Sequence, residues 1–146
     1  TDALASYTMM GDTVNLAARL EAAGKDYGVS ILASDAVYDQ VKDRIFTRRL
    51  DVVRVKGKHQ PVTLYQIICP KGKEQSRHGD FVHSYQKGLD AYLAKSWDTA
   101  MDHFKQAQHI LGNPDKSSKL LFERCLAYKI HPPPADWDGV YTRTTK

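Results

Sequence analysis

The stretch GDTVNLAARLE places Asn15 and Arg19 four residues apart in a run otherwise made mostly of small and apolar residues. On a helix that spacing puts both side chains on one face. Asparagine is not a favoured mid-helix residue, because its amide competes for backbone hydrogen bonds. The pair therefore brings an amide and a permanent cation to one place. The plain alternative is that Asn15 assists the helix cap and Arg19 is a solvated charge, and the two residues alone leave both readings open. A second group follows in RRLDVVRVKGK. Alternate residues of a strand face one way, so Arg54, Lys56 and Lys58 line up as a phosphate-facing edge would require. A solvated strand face accounts equally well for Arg48, Arg49 and Arg54. Cys69 and Cys125 lack metal-type spacing and read as free thiols in a reducing compartment. The six histidines are scattered, with no H-x-x-x-H pair.

These residues need elements to hold them. SYTMMG reads as a short strand, Asp12 as an N-cap, and the helix is predicted from Thr13 to about Lys25, closing near Gly28. Val14, Ala17, Ala18 and Leu20 supply its apolar contacts. VSILAS reads as a second strand, and Ser34 or Asp35 caps a helix over DAVYDQVKDR. The runs IFTRRLDVVRV and VTLYQIIC are joined by KGKHQP, a hairpin turn. This β-α-β-α-β-β order predicts an α+β or α/β sandwich. Residues 71–79 are polar and read as a linker. From Asp80 to residue 131 the pattern is helical only. There Gly88, Tyr92, Trp97, Ala100, Phe104 and Ala107 fall close to the spacing of one tetratricopeptide repeat, with Tyr92 one place off. A lone repeat buries its faces poorly, so it is expected to pack on the first half or on a second protomer. Residues 132–146 begin with a helix-ending proline run, and Trp137 and Tyr141 are candidates to anchor this tail.

Composition sets the bounds. Of 146 residues, 42% are hydrophobic and 26% charged, which excludes the disordered class. No apolar run reaches bilayer length, and no signal peptide is visible. The net charge of +4 lacks the clustered, aromatic-interleaved cations of a nucleic-acid surface, so no nucleic-acid partner and no membrane contact by this segment are expected. The chain opens on Thr1 and runs at once into a strand-like segment, which reads as part of a longer protein.

YTMMGDTVNLAARLEAAGKDYGVSILAS followed by VRVKGKHQPVTLY resembles the C-terminal half of a class III nucleotidyl cyclase catalytic domain, the adenylyl and guanylyl cyclase family. The resemblance covers roughly residues 4–70, and its G-D-x-V-N-x-A-x-R core plus a downstream V-K-G-K is a specific combination. The helical extension and PPPADWDGV resemble C-terminal extensions of bacterial members. The family implies a partial ferredoxin-like α+β sandwich over residues 1–70, followed by an all-α helical hairpin. It also implies conversion of ATP to 3′,5′-cyclic AMP and pyrophosphate, in the cytoplasm or on the cytoplasmic side of an inner membrane. By position, Arg19 matches the transition-state arginine, Asn15 the ribose-orienting asparagine, and Lys56 the lysine that holds the β- and γ-phosphates. Thr8 falls at the adenine-reading position, where many members carry Asp and a bacterial subgroup carries Thr. That favours ATP over GTP, with a guanylate cyclase as the alternative. The family holds two divalent ions, Mg or Mn, on two aspartates of the N-terminal half. Neither is in this chain, so no metal ligand is assigned and the chain alone is expected to be inactive. The family's active site forms across a dimer interface, which implies a homodimer or a swapped assembly. A non-catalytic interaction module built on the helical repeat is the competing reading.

Overall fold

The computed structural model describes residues 23–54 and 60–142. Within them the fold is α+β: a four-stranded mixed sheet and a set of helices. The strands are Leu32–Ser34 (β1), Ile45–Arg54 (β2) and Val62–Pro70 (β3), and the two long ones come from runs rich in β-branched and aromatic residues. β3 is central, antiparallel to β1 on one side and to β2 on the other. Tyr141–Thr142 (β4) lies parallel to the end of β2, giving the order β1-β3-β2-β4. The predicted first strand and most of the first helix lie outside the described residues. The end of that helix, residues 23–27, is described and closes as expected. Gly28 takes φ +70°, its N–H donates to Lys25 O at 3.3 Å, and Val29 N–H reaches Gly24 O at 3.0 Å, a Schellman cap. Helix α1 (Asp35–Val41) follows β1 directly and lays Tyr38 flat on Tyr65 of β3, with ring centroids 3.9 Å apart.

β2 departs from strict alternation. Between Arg49 and Asp51 it advances two residues while β3 advances one, from Tyr65 to Leu64. The extra residue, Leu50, makes a bulge. As a result Leu50 and Asp51 are both fully buried, where a regular strand would turn one of them outward.

Helices α2 (Ser76–Leu93), α3 (Trp97–Leu111) and α4 (Lys116–Ile130) follow. α2 begins four residues before the predicted linker ends, so residues 76–79 are helical. α2 buries Phe81, Val82, Tyr85, Leu89 and Tyr92 on one stripe, and α3 buries Ala100, Met101, Phe104 and Ala107 against it. Gly88 lets the two helices meet: a Cβ there would stand 2.7 Å from Phe104 Cε1. The α2–α3 turn is a second Schellman cap, with Ser96 N–H donating to Ala91 O at 2.8 Å, but Lys95 holds the left-handed position at φ 63°. Asp115 caps α4, its Oδ2 accepting from Ser118 N–H at 2.9 Å.

The helices pack on the sheet, and their apolar residues form one core with Leu50, Val53 and Leu64. α2 also closes the edge of β2 that β3 leaves open. Tyr85 OH donates to Leu50 O at 2.8 Å, and Arg49 N–H donates to Gln86 Oε1 at 2.9 Å. Burial holds the Tyr85 hydroxyl well above its ordinary pKa, so it remains a donor. β4 pairs Tyr141 with Val53 and Thr142 with Arg54, covering the next stretch of the same edge. The tail is anchored as its aromatics suggested: Trp137 packs among Tyr92, Trp97 and Tyr128 at centroid distances of 5.4–5.7 Å.

Candidate functional site

Thr8, Asn15, Arg19 and Lys56 lie outside the described residues, as does Lys58. The structure describes the chain on the near side of each group: the helical residues 23–27, which follow Arg19 and its neighbours, and the end of β2 at Arg54, two residues before Lys56. Both are held by the C-terminal half of the chain.

The first support grips the helix end. Ser117 Oγ donates to Tyr27 O at 2.6 Å, and Lys116 Nζ donates to Lys25 O at 2.6 Å. The Tyr27 carbonyl is one of the acceptors left over at a helix C-terminus, and the Lys25 carbonyl, already bonded within the cap, gains a second donor, so the start of α4 binds the helix end directly. The contact is close: a Cβ on Gly28 would stand 2.7 Å from Lys116 Cβ. The second support grips the end of β2, through β4 and an Arg54–Asp138 ion pair at 3.4 Å. Hydrogen bonding from Val140 N–H, then the Arg54 guanidinium, hold the exposed Asp138 carboxyl below its usual range.

A buried polar cluster lies between them. Asp51 Oδ2 accepts from Tyr27 OH at 2.6 Å and from Arg124 Nη1 at 2.7 Å, while Oδ1 accepts from Val52 N–H at 2.8 Å. Arg124 Nη1 also donates to Tyr92 OH at 3.2 Å, and the guanidinium stacks 3.6 Å over the Tyr141 ring. Burial alone would disfavour the Arg124 cation, but Asp51, Tyr92 and Tyr27 reverse this and raise its pKa. Burial, then the Asp51 carboxylate, raise the Tyr27 hydroxyl far out of titration range, so it stays a donor. Tyr92 is raised by burial. One carboxylate and one guanidinium thus tie together residues 23–27, β2, α2, α4 and β4.

A second buried cation corrects the reading of Arg48 as part of a solvated strand face. It is 1% exposed, donates from Nε to Gln66 Oε1 at 2.9 Å and from Nη1 to Asp115 Oδ2 at 2.8 Å, and lies 4.6 Å from the Tyr85 ring centre. Its partner Asp115 is the α4 cap, so Arg48 fixes that helix to the sheet. Arg49 pairs with Asp90 of α2, and Arg54 with Asp138.

Tyr27, Asp51 and Arg124 went unnoticed in the sequence. A signal existed for two of them: Asp51 interrupts a strand-like run, where aspartate is depleted, and Arg124 sits in the helical run LLFERCLAY among apolar residues. Among the described residues no three His, Cys, Asp or Glu side chains converge as metal ligands would. Asp51, the carboxylate best shielded from water, already has both oxygens engaged by protein donors. These residues do not fit a metal centre. No described helix is long and apolar enough to cross a membrane.

No family profile matches the chain, and no solved structure matches it. Among curated proteins it is 48% identical over 62 residues to "Adenylate cyclase 1" of Rhizobium meliloti (strain 1021), covering 42% of this chain and 9% of that protein. It is 30% identical over 125 residues to "Adenylate cyclase, terminal-differentiation specific" of Dictyostelium discoideum, covering 82% of this chain and 6% of that one. It is 36% identical over 63 residues to "Adenylate cyclase" of Anabaena cylindrica, covering 41% of this chain and 12% of the relative. The chain therefore spans about a tenth or less of the first two relatives and little more of the third. A match over 82% of the chain cannot lie within either half alone. The chain is thus related to proteins named adenylate cyclase, and in one of them the likeness runs from the sheet into the helices.

Proposed function

We propose that the chain is the C-terminal part of a class III adenylate cyclase catalytic domain with a tetratricopeptide-like extension, and that the complete enzyme converts ATP to 3′,5′-cyclic AMP and pyrophosphate. The observation that carries this is the 48% identity over 62 residues to a protein named adenylate cyclase. The G-D-x-V-N-x-A-x-R and V-K-G-K motifs agree with it and assign the roles.

In this reading the ribose 3′-hydroxyl attacks the α-phosphorus in line as the bond to pyrophosphate breaks. Negative charge builds on the phosphoryl oxygens. Arg19 meets it with a planar, always-charged fork, which stabilises the transition state more than bound ATP. Asn15 orients the ribose by hydrogen bonding, Lys56 holds the β- and γ-phosphates as a point charge, and the Thr8 hydroxyl reads the adenine edge. Two divalent cations, Mg or Mn, would supply charge neutralisation at the triphosphate, on aspartates this chain does not carry. The site is then completed across a homodimer or swapped assembly. The start of α4 holds residues 25 and 27, and the tail, through β4 and Asp138, holds the end of β2 at Arg54.

The test is chromatographic. Incubated with ATP and Mn²⁺, this chain is expected to yield no cyclic AMP. The chain with the preceding half of the domain restored is expected to yield it, and to prefer ATP to GTP. Arg19→Ala in that complete form should collapse turnover with a smaller change in KM. Unchanged turnover would remove Arg19 from the mechanism. Product from GTP alone would make the enzyme a guanylate cyclase. No product from the complete form would favour the interaction-module reading.

A further inference from the structure

We infer that the cleft where α1, the start of β2, the end of β3 and α2 meet is a binding site for a phosphate group, carried as the free ion or as a monoester. It stands apart from the functional reading above and does not rest on it.

A cavity of about 190 Å³ opens to solvent there. A water needs roughly 10–15 Å³ of such space, so a five-atom anion fits with water around it. Every polar side chain that lines the cavity can donate a hydrogen bond, and no carboxylate is among them. Lys42, the residue after α1, and Lys71, the residue after β3, bring two ammonium groups. Tyr38 on α1 and Thr47 on β2 bring hydroxyls, and Gln86 on α2 brings an amide. The Gln86 oxygen already accepts from Arg49 N–H at 2.9 Å, so its NH2 group is the end left over. Tyr38, Thr47 and Gln86 are half-buried, and among the described residues the two hydroxyls and that NH2 have no hydrogen-bond partner. Donors partly withdrawn from water and left unpaired call for an acceptor. The lysines have capacity to spare as well. Lys71 Nζ directs one of its N–H bonds to the Lys42 carbonyl at 3.1 Å, and Lys42 Nζ stands 3.9 Å from the exposed Asp39, beyond hydrogen-bonding reach. Two positive charges and three neutral donors match a dianion with four oxygens, whereas a single carboxylate would leave donors and charge unanswered. Ile45 and Phe46 add an apolar wall on which the organic part of an ester can lie. The Tyr38 ring is braced flat on Tyr65, which gives the site one rigid side.

The test is a titration of the 146-residue chain with inorganic phosphate, followed by heteronuclear NMR and compared with sodium chloride at the same ionic strength. Shifts are expected at Tyr38, Lys42, Phe46, Thr47, Lys71 and Gln86 and not in α3 or α4. Lys71→Gln and Lys73→Gln each remove one exposed charge, but only Lys71 lines the cavity. The first should weaken binding about 2- to 5-fold and the second leave it unchanged. Thr47→Val keeps the outline of the strand residue and removes a hydroxyl, and should weaken binding roughly 3- to 10-fold. Phenyl phosphate that binds more tightly than inorganic phosphate, with shifts reaching Ile45, would uphold the site and identify a monoester as its ligand. Equal or weaker binding of the ester would uphold it for the free ion. Shifts that chloride reproduces, shifts scattered over surface lysines, or equal losses in Lys71→Gln and Lys73→Gln would overturn it. So would an undiminished response in a natively folded Thr47→Val chain.

Discussion

At the scale of single residues, Asp51 and Arg124 matter most to the described fold. A buried ion pair contributes little net stability compared with apolar side chains of the same volume, yet removing one partner strands the other charge. Asp51→Asn is therefore expected to lower stability by about 3–5 kcal/mol in urea unfolding. The double variant Asp51→Leu/Arg124→Met should recover part of that loss, and a cycle that adds without recovery would mean that the pair is not coupled. Gly88 sets two effects against each other. Alanine would gain about 1 kcal/mol of helix propensity, but its Cβ would meet Phe104 at 2.7 Å, and overpacking costs about 1–3 kcal/mol. The clash should win, so Gly88→Ala destabilises, and Phe104→Leu in the same chain should relieve it. The cysteines divide by environment. Burial pushes the Cys125 thiol up to about 12, while Cys69 is partly exposed. Iodoacetamide at mildly alkaline pH should label one thiol per folded chain, at Cys69, and two in denaturant.

At the scale of elements, the turn between α2 and α3 is improvable. Lys95 occupies a left-handed conformation at φ 63°, which costs a side chain that glycine lacks. Lys95→Gly should raise the melting temperature, provided that the Lys95–Ala135 hydrogen bond it removes is worth as little as other exposed contacts. Most elements could be read from periodicity and punctuation. The Gly28 cap and the helical character of the chain from Asp80 onward stand where local signals placed them. The start of α2 did not, because a polar first turn resembles a linker in composition. β4 was unreadable for a different reason. Two residues carry no period, and their strand partner is Val53, distant in sequence. Leu50 escaped for the same kind of reason: a bulge is set by register with β3, not by its own neighbours. For the site, sequence supplied all of the candidate chemistry, since Thr8, Asn15, Arg19 and Lys56 fall outside the described residues. What it missed were the supports. Arg48 reads as a solvated charge until its carboxylate partner, Asp115, far along the chain, is known.

At the scale of the molecule, the two halves are not beads on a linker. α2 and β4 share the work of closing one edge of β2, and the tail's Trp137 covers an aromatic surface on the helices. A chain cut after Ile130 should therefore self-associate more than the intact one in light scattering after size exclusion, because it uncovers a strand edge and an apolar patch together. An unchanged mass distribution would mean that the tail covers nothing that matters. The same wiring has a consequence in time. The Asp51–Arg124 contact spans 73 residues, and the Tyr27–Ser117 contact spans 90. At roughly 5–20 residues per second, a ribosome makes Arg124 about 4–15 s after Asp51. For those seconds the nascent sheet holds a carboxylate that belongs in the core and has no cation to meet it. The described sheet cannot reach its final packing before α4 and the segment that follows it have been made.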